Sequence, residues 1–360
     1  MRRLGILTGG GDAPGLNAVI RAVVKTAAND YQCDVIGIEN GFDGLVQETK
    51  SRPLPPEAVR GLLGRGGTVL GTANRGNPFA RWVTRDGQEV IEDISHEVEL
   101  GFERLGLDGL VVVGGDGTLR IATELRQKFG LPIVGVPKTI DNDLDGTDVT
   151  FGFDTALGIA TEAFDRLHTT AESHHRVMVL ELMGRDAGFI ALQAGVSGDA
   201  DAILIPEIPF DIEVVCAKIN EREAAGRKFS LVAVAEGARP VDGAQAFSRA
   251  GDEITTARLG GISFQVGAHI EERTGKSTRV TVLGHVQRGG TPSHFDRWLA
   301  TRFGAAAVRL AAKGGWGRMV GVRGVSIVDT TLEEATAVPK RVDPDGEQVR
   351  MARGLGIVFG

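Results

Sequence analysis

The sequence predicts an α/β fold made of two doubly wound lobes with mainly parallel sheets. The 360 residues exceed the length at which a single hydrophobic core usually stops growing. Short apolar runs alternate with stretches of helical periodicity, which favours parallel strands joined by helices. Many of the 51 glycines directly follow the apolar runs, where the backbone turns tightly or approaches a ligand closely.

The first half of the chain is predicted to contain strands that alternate with helices. Each strand is a short apolar run, and each helix repeats its apolar residues every three to four positions. The predicted strands are Arg3–Thr8, Cys33–Ile38, Leu110–Val113 and Leu131–Val136, and the helices are Asn17–Ala28 and a segment around Leu119, Ala122 and Leu125.

The second half continues the same pattern. It begins with a helix whose apolar face runs from Ala156 to Leu167. No loop-like stretch has the composition of an interdomain linker, so the lobes are expected to exchange chain more than once. The predicted elements are a helix from about Asp154, strands near Val177–Leu180, Ala202–Ile205 and Leu231–Ala235, a helix around Ser263–Glu272 and a strand at Val280–Leu283.

Composition excludes several classes of protein. A formal net charge of −7 argues against a nucleic-acid partner, so an anionic substrate must be held by local cations, backbone N–H groups or a metal ion. No apolar run approaches the ~20 residues that span a bilayer, so no membrane partner is expected. Cys33 and Cys216 lack the spacing of a metal site and indicate free thiols in a reducing compartment. We therefore expect a soluble cytoplasmic protein.

A first glycine-rich segment, Thr8–Asn17, lies between a predicted strand and a predicted helix. Free N–H groups and the helix dipole favour a phosphate at such a position. A simple tight turn and a nicotinamide site are alternatives. The spacing is not Gly-x-Gly-x-x-Gly, since Asp12 stands where that fingerprint requires a neutral approach. The segment therefore predicts a phosphate-binding turn.

A second segment, Gly114–Thr118, follows the strand Leu110–Val113 and opens a helix, at the sheet edge where ligands bind. A carboxylate among phosphate-binding N–H groups repels the phosphate unless a cation lies between them. Asp116 is thus a natural partner for Mg²⁺. The alternative is that Asp116 caps the helix, although a cap does not need three glycines.

A third segment, Pro137–Asp143, also follows a strand and offers a lysine, a hydroxyl and two carboxylates. Asp141 and Asp143 are two residues apart. If one faces the substrate and the other a metal ion or the backbone, the pair suits activation of a hydroxyl for attack on phosphorus. Taken alone, an Asx-turn explains the segment equally well.

The second half carries cations beside its predicted strands. Ser173–Arg176 precedes a strand, Glu181–Arg185 follows it, and Glu236 ends another. The segment Arg279–Gly290 adds cations, a histidine and paired glycines. Guanidinium groups bind phosphate bidentately, so these segments together indicate a sugar-phosphate clamp, although each arginine alone is more typical of a solvated surface.

Together these motifs resemble the 6-phosphofructokinase family, phosphofructokinase A type, over residues 3 to about 300. Gly-Gly-Asp-Gly-Thr alone also occurs in nicotinamide-nucleotide and lipid kinases, so Pro137–Asp143 and the second half decide. The resemblance implies a phosphofructokinase fold with a donor (ATP) lobe of residues 1–152 plus about 288–337. The other lobe, residues 153–287 plus about 338–360, would bind fructose 6-phosphate.

The activity implied by the resemblance is phosphoryl transfer from MgATP to the 1-hydroxyl of fructose 6-phosphate, giving fructose 1,6-bisphosphate in glycolysis. It also implies a cytoplasmic homo-oligomer, with a tetramer favoured over a dimer, in which Arg176 and Arg279 reach the 6-phosphate bound by a neighbouring subunit. A nicotinamide-nucleotide kinase would not explain Arg176 or Arg279–Arg288. A non-catalytic nucleotide-sensing paralogue would be expected to lack Asp141 or Asp116, and both are present.

The resemblance further implies residue roles. Asp141 takes the proton of the attacking hydroxyl, Thr139 orients it, and Arg185 and Arg75 stabilise charge. Gly10 belongs to this catalytic set, Asp116 holds the magnesium with Asp143 as a further candidate, and Arg81 is the alternative to Arg75. The donor residues are Gly10, Gly11, Arg75, Gly115, Asp116, Gly117, Thr118 and Lys138. The fructose 6-phosphate residues are Thr139, Asp141, Asp143, Arg176, Met183, Gly184, Arg185, Glu236, Arg279, His285 and Arg288.

Two positions bear on the identity of the donor. Lysine at position 138 is typical of pyrophosphate users and of a related long-chain, mixed-substrate group, whereas allosteric bacterial enzymes usually have glycine there. Gly117 is typical of ATP users, because pyrophosphate users usually carry an aspartate that would crowd and repel the α-phosphate. Since Gly117 acts by exclusion, ATP is the predicted donor and pyrophosphate the alternative.

Overall fold

The structure of the chain is a computed structural model that describes residues 1–73, 76–85, 87–249 and 258–360. No helix in these ranges is long and apolar enough to cross a membrane. The strands are β1 Arg3–Thr8, β2 Asp34–Ile38, β3 Ser51–Pro53, β4 Arg81–Arg85, β5 Gln88–Glu92, β6 Gly109–Gly114, β7 Ile133–Thr139, β8 Phe151–Gly152, β9 Val177–Leu182, β10 Ala202–Leu204, β11 Ser230–Ala235, β12 Phe247–Arg249, β13 Arg258–Leu259, β14 Thr278–Val282, β15 Arg318–Arg323 and β16 Ser326–Thr331.

The α-helices lie between these strands and after them, and short 3₁₀ helices occupy Glu48–Lys50, Pro56–Val59 and Gly284–Arg288. The α-helices are α1 Leu16–Tyr31, α2 Asp43–Val46, α3 Ser95–Arg104, α4 Asp116–Phe129, α5 Phe153–His174, α6 Phe189–Ser197, α7 Ile212–Ala224, α8 Ile262–Thr274, α9 His294–Ala312, α10 Leu332–Ala337 and α11 Glu347–Gly354.

The chain divides into two compact units. Unit 1 contains Met1–Asp154 and Arg288–Pro339, and unit 2 contains Thr155–Gln287 and Lys340–Gly360. The chain therefore passes between the units three times.

Unit 1 is built on an eight-stranded sheet with the order β16-β15-β7-β6-β1-β2-β3, and β8 pairs with β7. Its central pairs are parallel, and only the outer pairs β15–β16 and β2–β3 are antiparallel. Because neighbouring residues of a strand face opposite sides of a sheet, Val111 and Val113 pack on α1 and α9. Leu110 and Val112 pack on the other side with α3, α4 and α10. Helices thus cover both faces, as in a doubly wound fold.

Unit 2 contains a four-stranded sheet, β10-β11-β9-β14, in which every pair is parallel. Val232 and Val234 pack with α7 and α8 on one face. On the other face α6 packs closely, since a Cβ at Gly195 would lie 2.7 Å from Ile203 and 3.1 Å from Ala233. The predicted α/β class with mainly parallel sheets is confirmed.

The positions of most predicted elements agree with the structure, but several observed elements were not predicted. Glu181 and Leu182 were expected to follow a strand, but both belong to β9, where the strand remains fully buried. The helices α3, α6 and α7 were not predicted. No element was predicted after Leu283 either, whereas unit 1 there contains α9, β15, β16 and α10.

Candidate active site

The first glycine loop, Gly9–Gly15, continues from the carboxyl end of β1. The Gly9 N–H donates to the Val113 carbonyl at 2.9 Å, which extends the parallel pairing by one residue. Gly10 has φ +73°, a left-handed conformation that favours glycine. A Cβ at Gly10 would lie 3.3 Å from Thr118 Oγ1 and 3.5 Å from Lys138 Nζ. The absence of a side chain therefore brings this loop close to the start of α4 and to the end of β7.

Helix α4 begins at Asp116, and its N-cap is Gly115. The alternative that Asp116 is the capping residue is therefore wrong. Asp116 lies in the first turn, where Arg120 Nε donates to its Oδ1 at 2.8 Å and 31% of its side chain remains exposed. The first N–H groups of a helix lack intrahelical acceptors and suit anions. Gly117 in this turn is exposed, and no described atom lies within 4 Å of the Cβ it would carry.

Lys138 projects from the end of β7 into a buried position, where the residue is only 3% exposed. Its Nζ donates a hydrogen bond to the Gly11 carbonyl. Burial, with a smaller contribution from the charge of Arg288, lowers the pKa of Lys138 to about 8, although Asp141 and Asp143 oppose the shift. The lysine is therefore a cation beside the first glycine loop whose charge changes near neutral pH.

The segment after β7 is held by its own hydroxyl and amide groups. Thr139 Oγ1 accepts the Asp141 N–H at 3.0 Å, and the Thr139 carbonyl accepts from Thr150 Oγ1 at 2.8 Å. Asn142, at φ +55°, accepts the Thr150 N–H at 3.1 Å. These contacts fix the backbone on both sides of Asp141, which is only 4% exposed. A buried carboxylate in a fixed frame is the arrangement that a general base requires.

Arg288 completes the group of charged residues in unit 1. Its Nη2 lies 4.0 Å from Asp141 Oδ2, and its Nη1 donates to the Asp12 carbonyl at 3.3 Å. A Cβ at Gly11 would lie 3.0 Å from the same Nη1, so the Arg288 guanidinium packs closely on this glycine. The side chain of Arg288 is only 16% exposed. Unit 1 thus brings together Gly10, Gly11, Thr118, Lys138, Asp141 and Arg288.

Of the two arginines considered for binding the phosphoryl donor, the structure describes Arg81. Arg75 lies outside the described residues. The alternative, Arg81, places its Nη2 at 3.0 Å from Asp43 Oδ2 in a bidentate ion pair. This ion pair joins Arg81 to α2, and its role at the donor site stays a prediction. Asp143 is partly buried. Its negative charge acts to raise the pKa of Lys138, which opposes the larger effect of burial.

Unit 2 holds the predicted sugar-binding residues Met183, Gly184 and Arg185, here named the Met183 loop. Gly184 has φ +146°, and a Cβ there would lie 2.5 Å from the Ala187 carbonyl oxygen, so the turn requires glycine. Arg185 is exposed with φ +51°, and its N–H donates to Glu236 Oε1 at 3.1 Å. Glu236, which was predicted to hold the sugar together with Met183 and Gly184, therefore contacts the backbone of the Met183 loop.

The remaining predicted cations of unit 2 lie at two edges of its sheet. Arg176 precedes β9 and Arg279 is the second residue of β14, which runs parallel beside it. Met183 and His285 follow the carboxyl ends of these strands. Arg279 pairs with Met178, which precedes Met183 by five residues, or about 17 Å of extended chain. The backbones of Arg176 and Arg279 therefore lie toward the start of their strands, and those of Met183 and His285 lie beyond the strand ends.

Gln287 is a residue that the sequence analysis did not assign to the site. It is 0% exposed, and its Oε1 accepts the Met183 N–H at 2.9 Å. A buried glutamine needs hydrogen-bond partners. The sequence showed a polar residue between His285 and Arg288 but gave no sign of its burial.

Comparison with known proteins identifies the family. The family described as phosphofructokinase matches residues 3–311 of this chain. The chain belongs to the phosphofructokinase family. The phosphofructokinase relatives include an ATP-dependent 6-phosphofructokinase of Chloroflexus aggregans, 55% identical over 360 residues, which are 100% of this chain and 98% of that protein.

Two further phosphofructokinases show the range of the similarity. A pyrophosphate–fructose 6-phosphate 1-phosphotransferase of Streptomyces coelicolor is 51% identical over 359 residues, 99% of this chain and 100% of that protein. The structure of phosphofructokinase from Saccharomyces cerevisiae matches 94% of this chain with a TM-score of 0.79 and 33% identity. This chain spans 45% of the length of that yeast chain. The expected phosphofructokinase fold is confirmed.

Proposed function

We propose that this phosphofructokinase-family chain transfers a phosphoryl group from MgATP to the 1-hydroxyl of fructose 6-phosphate, producing fructose 1,6-bisphosphate. The observation that carries the proposal is the buried Asp141, held in a fixed frame 4.0 Å from Arg288. The relative from Chloroflexus aggregans, whose name specifies ATP, supports ATP as the donor.

The donor is assigned to unit 1. The first glycine loop and the opening turn of α4 present backbone N–H groups, and Lys138 adds a positive charge beside them. Phosphoryl transfer depends mainly on positioning and on neutralising the phosphate oxygens, which is what such groups provide. Thr118 and Gly115 complete this assignment, and Gly117 leaves space for a nucleotide.

Magnesium is assigned to Asp116. Mg²⁺ is usually held by one or two carboxylates together with water and substrate phosphates. A single, partly exposed carboxylate at the start of α4 fits this pattern. When bound, the ion neutralises charge on the transferred phosphoryl group.

The acceptor reaction is assigned to Asp141 and its neighbours. Asp141 accepts the proton of the 1-hydroxyl, Thr139 fixes its backbone, and the Arg288 guanidinium contributes positive charge beside it. We assign the sugar to the Met183 loop and Glu236, and the 6-phosphate to Arg176, Arg279, His285 and Arg288. Arg185 supplies a further cation for the charge that develops during transfer.

Initial rates with fructose 6-phosphate and Mg²⁺ test the proposal when ATP and pyrophosphate are compared at equal concentrations. We expect turnover with ATP at a higher kcat/KM than with pyrophosphate. Pyrophosphate is the second candidate donor, because a buried lysine beside a phosphate-binding loop suits either one. Absence of turnover with both donors would contradict the proposed function. The enzyme is placed in the cytoplasm, as part of glycolysis.

We expect kcat/KM for the phosphoryl donor to depend on pH through the charge of Lys138. Its pKa of about 8 lies below the ordinary value of 10.5, so the charge that attracts donor phosphates is present below pH 8 and is lost as the pH rises through 8. We expect kcat/KM for the donor to fall about tenfold per pH unit above this value. In Lys138→Met the rate at pH 7 should be lower and this decline absent. An unchanged decline in the variant would assign it to another group.

We propose a homo-oligomer, with a tetramer favoured, because the backbones of Arg176 and Arg279 lie toward the start of β9 and β14, whereas Met183 lies beyond the end of β9. They would then serve the site of a neighbouring subunit. Mixing inactive Arg279→Ala and Asp141→Asn subunits should restore activity, since equal random mixing makes about a quarter of the shared sites intact. Each variant assembled alone is the control. Demonstrated mixed oligomers that remain inactive would argue against shared sites.

A further inference from the structure

The Met183 loop begins where the backbone pairing between β9 and β14 ends. The last such contact is the Leu283 N–H, which donates to the Glu181 carbonyl at 3.0 Å. The chain then turns at Gly284, at φ +50°, into the 3₁₀ helix Gly284–Arg288. Through this turn Gln287 returns to the end of β9, where its Oε1 accepts the Met183 N–H at 2.9 Å. A side chain thus supplies the acceptor that the neighbouring strand no longer provides.

The backbone of the Met183 loop is held from both sides. Gln287, beyond β14, accepts the Met183 N–H, and Glu236, at the end of β11, accepts the Arg185 N–H at 3.1 Å. The Gly184 carbonyl accepts the Ala187 N–H at 3.0 Å. Gly184 and Arg185 both have positive φ values. Such backbone conformations persist only where surrounding contacts enforce them, and Gln287 supplies one of these contacts.

Burial makes the Gln287 contact strong. The residue is 0% exposed, so water does not compete for its carboxamide. Its Nε2 is buried without a hydrogen-bond partner among the described residues. An unsatisfied buried donor opposes folding, and an apolar side chain at this position would avoid that penalty. The carboxamide at this position is therefore better explained by the Met183 contact than by packing.

We propose that Gln287 is a positioning residue that holds the Met183 loop in the conformation that binds the sugar phosphate. It has no assigned contact with substrate and acts through the Met183 backbone. The proposal deepens and rests on the proposed function, because it takes the Met183 loop as part of the fructose 6-phosphate site. Gln287 shares its 3₁₀ helix with His285 and Arg288, so one short element would both contact the phosphate and orient the sugar loop.

The test compares Gln287→Met, which removes the acceptor at similar volume, with Gln287→Glu, which keeps an acceptor oxygen. Gln265→Met is the matched control, because Gln265 lies exposed on α8 in the same unit. Hydrogen exchange of the peptide containing Met183–Arg185 is measured in each protein without substrate. KM for fructose 6-phosphate and for MgATP are measured separately.

In Gln287→Met we expect amide exchange in the Met183 loop to accelerate, and KM for fructose 6-phosphate to rise on the order of tenfold. KM for MgATP should remain within about twofold, since this residue holds no part of the assigned donor site. Gln287→Glu should retain most of the affinity for fructose 6-phosphate, because it keeps an acceptor oxygen. If Gln287→Met does not fold, a Gln287→Glu protein that loses this affinity overturns the proposal. The control should match the wild type.

The outcomes separate this inference from the proposed function. Unchanged exchange in Gln287→Met would overturn the claim that Gln287 holds the loop, whatever the enzyme does. Faster exchange with an unchanged KM for fructose 6-phosphate would overturn its role in substrate binding. A wild type without turnover would contradict the proposed function and the substrate role together, and the exchange measurement would then decide the loop contact alone.

Discussion

Replacing Asp141 with asparagine is expected to lower kcat by about 10²–10⁴, the typical contribution of a general base. The substitution keeps the size of the side chain and its ability to accept a hydrogen bond, but asparagine does not take up the proton of the attacking hydroxyl. Thr139, which accepts the backbone N–H of residue 141, is unchanged. KM for fructose 6-phosphate should therefore change little, because the loss falls on the reaction step and not on binding.

Asp145→Asn provides a matched control for this experiment. It makes the same chemical change a few residues along the same segment, where the side chain is exposed and accepts the neighbouring Gly146 N–H at 2.7 Å. The control should keep a kcat within about twofold of the wild type, as surface substitutions usually do. If Asp141→Asn also stayed within a few-fold of the wild type, Asp141 would no longer be the proton acceptor.

The predicted position of the site depended on where strands end. Apolar runs bounded by charges or glycines predicted β1 with its observed bounds, because a strand buried on both faces needs a continuous apolar segment. Carboxyl ends of neighbouring parallel strands meet at one sheet edge. That rule predicted a ligand-binding edge at Gly114–Thr118, whereas the family resemblance grouped Gly10, Thr118, Lys138 and Asp141 into one site.

Helix α9 shows why other parts of the fold were not predicted. It contains Gly304, which lowers helix propensity, and its alanines give a weak apolar pattern. The structure explains the glycine, because a Cβ at position 304 would lie 2.7 Å from the Val19 carbonyl of α1. Close packing of two helices stabilises α9 here, and that contact joins residues far apart in the sequence.

Sequence patterns also did not predict the side-chain contacts of the site that join residues far apart in the chain. The Gln287–Met183 hydrogen bond joins residues 104 positions apart. Lys138 was expected as a cation at a strand end, but its burial, which lowers its pKa, depends on the packing of the first glycine loop over it. The pairing of Arg81 with Asp43 likewise follows from the tertiary fold.

Gly117→Asp is expected to lower the use of ATP far more than the use of pyrophosphate. The new carboxylate would lie near a nucleotide phosphate, and like charges about 4 Å apart repel by roughly 1–4 kcal/mol at effective dielectrics of 80 to 20. Since about 1.4 kcal/mol corresponds to a tenfold change, kcat/KM for ATP should fall by about one to three decades. Pyrophosphate has no nucleoside or α-phosphate at this point and should avoid most of this loss.

The structure indicates that the folded protein accepts this substitution. No described atom lies within 4 Å of a Cβ at Gly117, and the backbone there is helical, so neither a clash nor strain is introduced. An aspartate in the first turn of α4 also interacts favourably with the helix dipole. A loss of ATP use would therefore come from the donor site and not from unfolding, and an unchanged melting temperature checks this point.

Gly158→Asp is the matched control for the donor experiment. Gly158 is an exposed glycine of α5, also without a described atom within 4 Å of its Cβ position, and it has no role in the proposed site. The measurement is the ratio of kcat/KM for ATP to that for pyrophosphate in the wild type and both variants. Only Gly117→Asp should lower the ratio. A wild type that already prefers pyrophosphate would show that Gly117 does not select the donor. A ratio that is unchanged in Gly117→Asp would show the same, because the added charge would then lie too far from the α-phosphate to repel it.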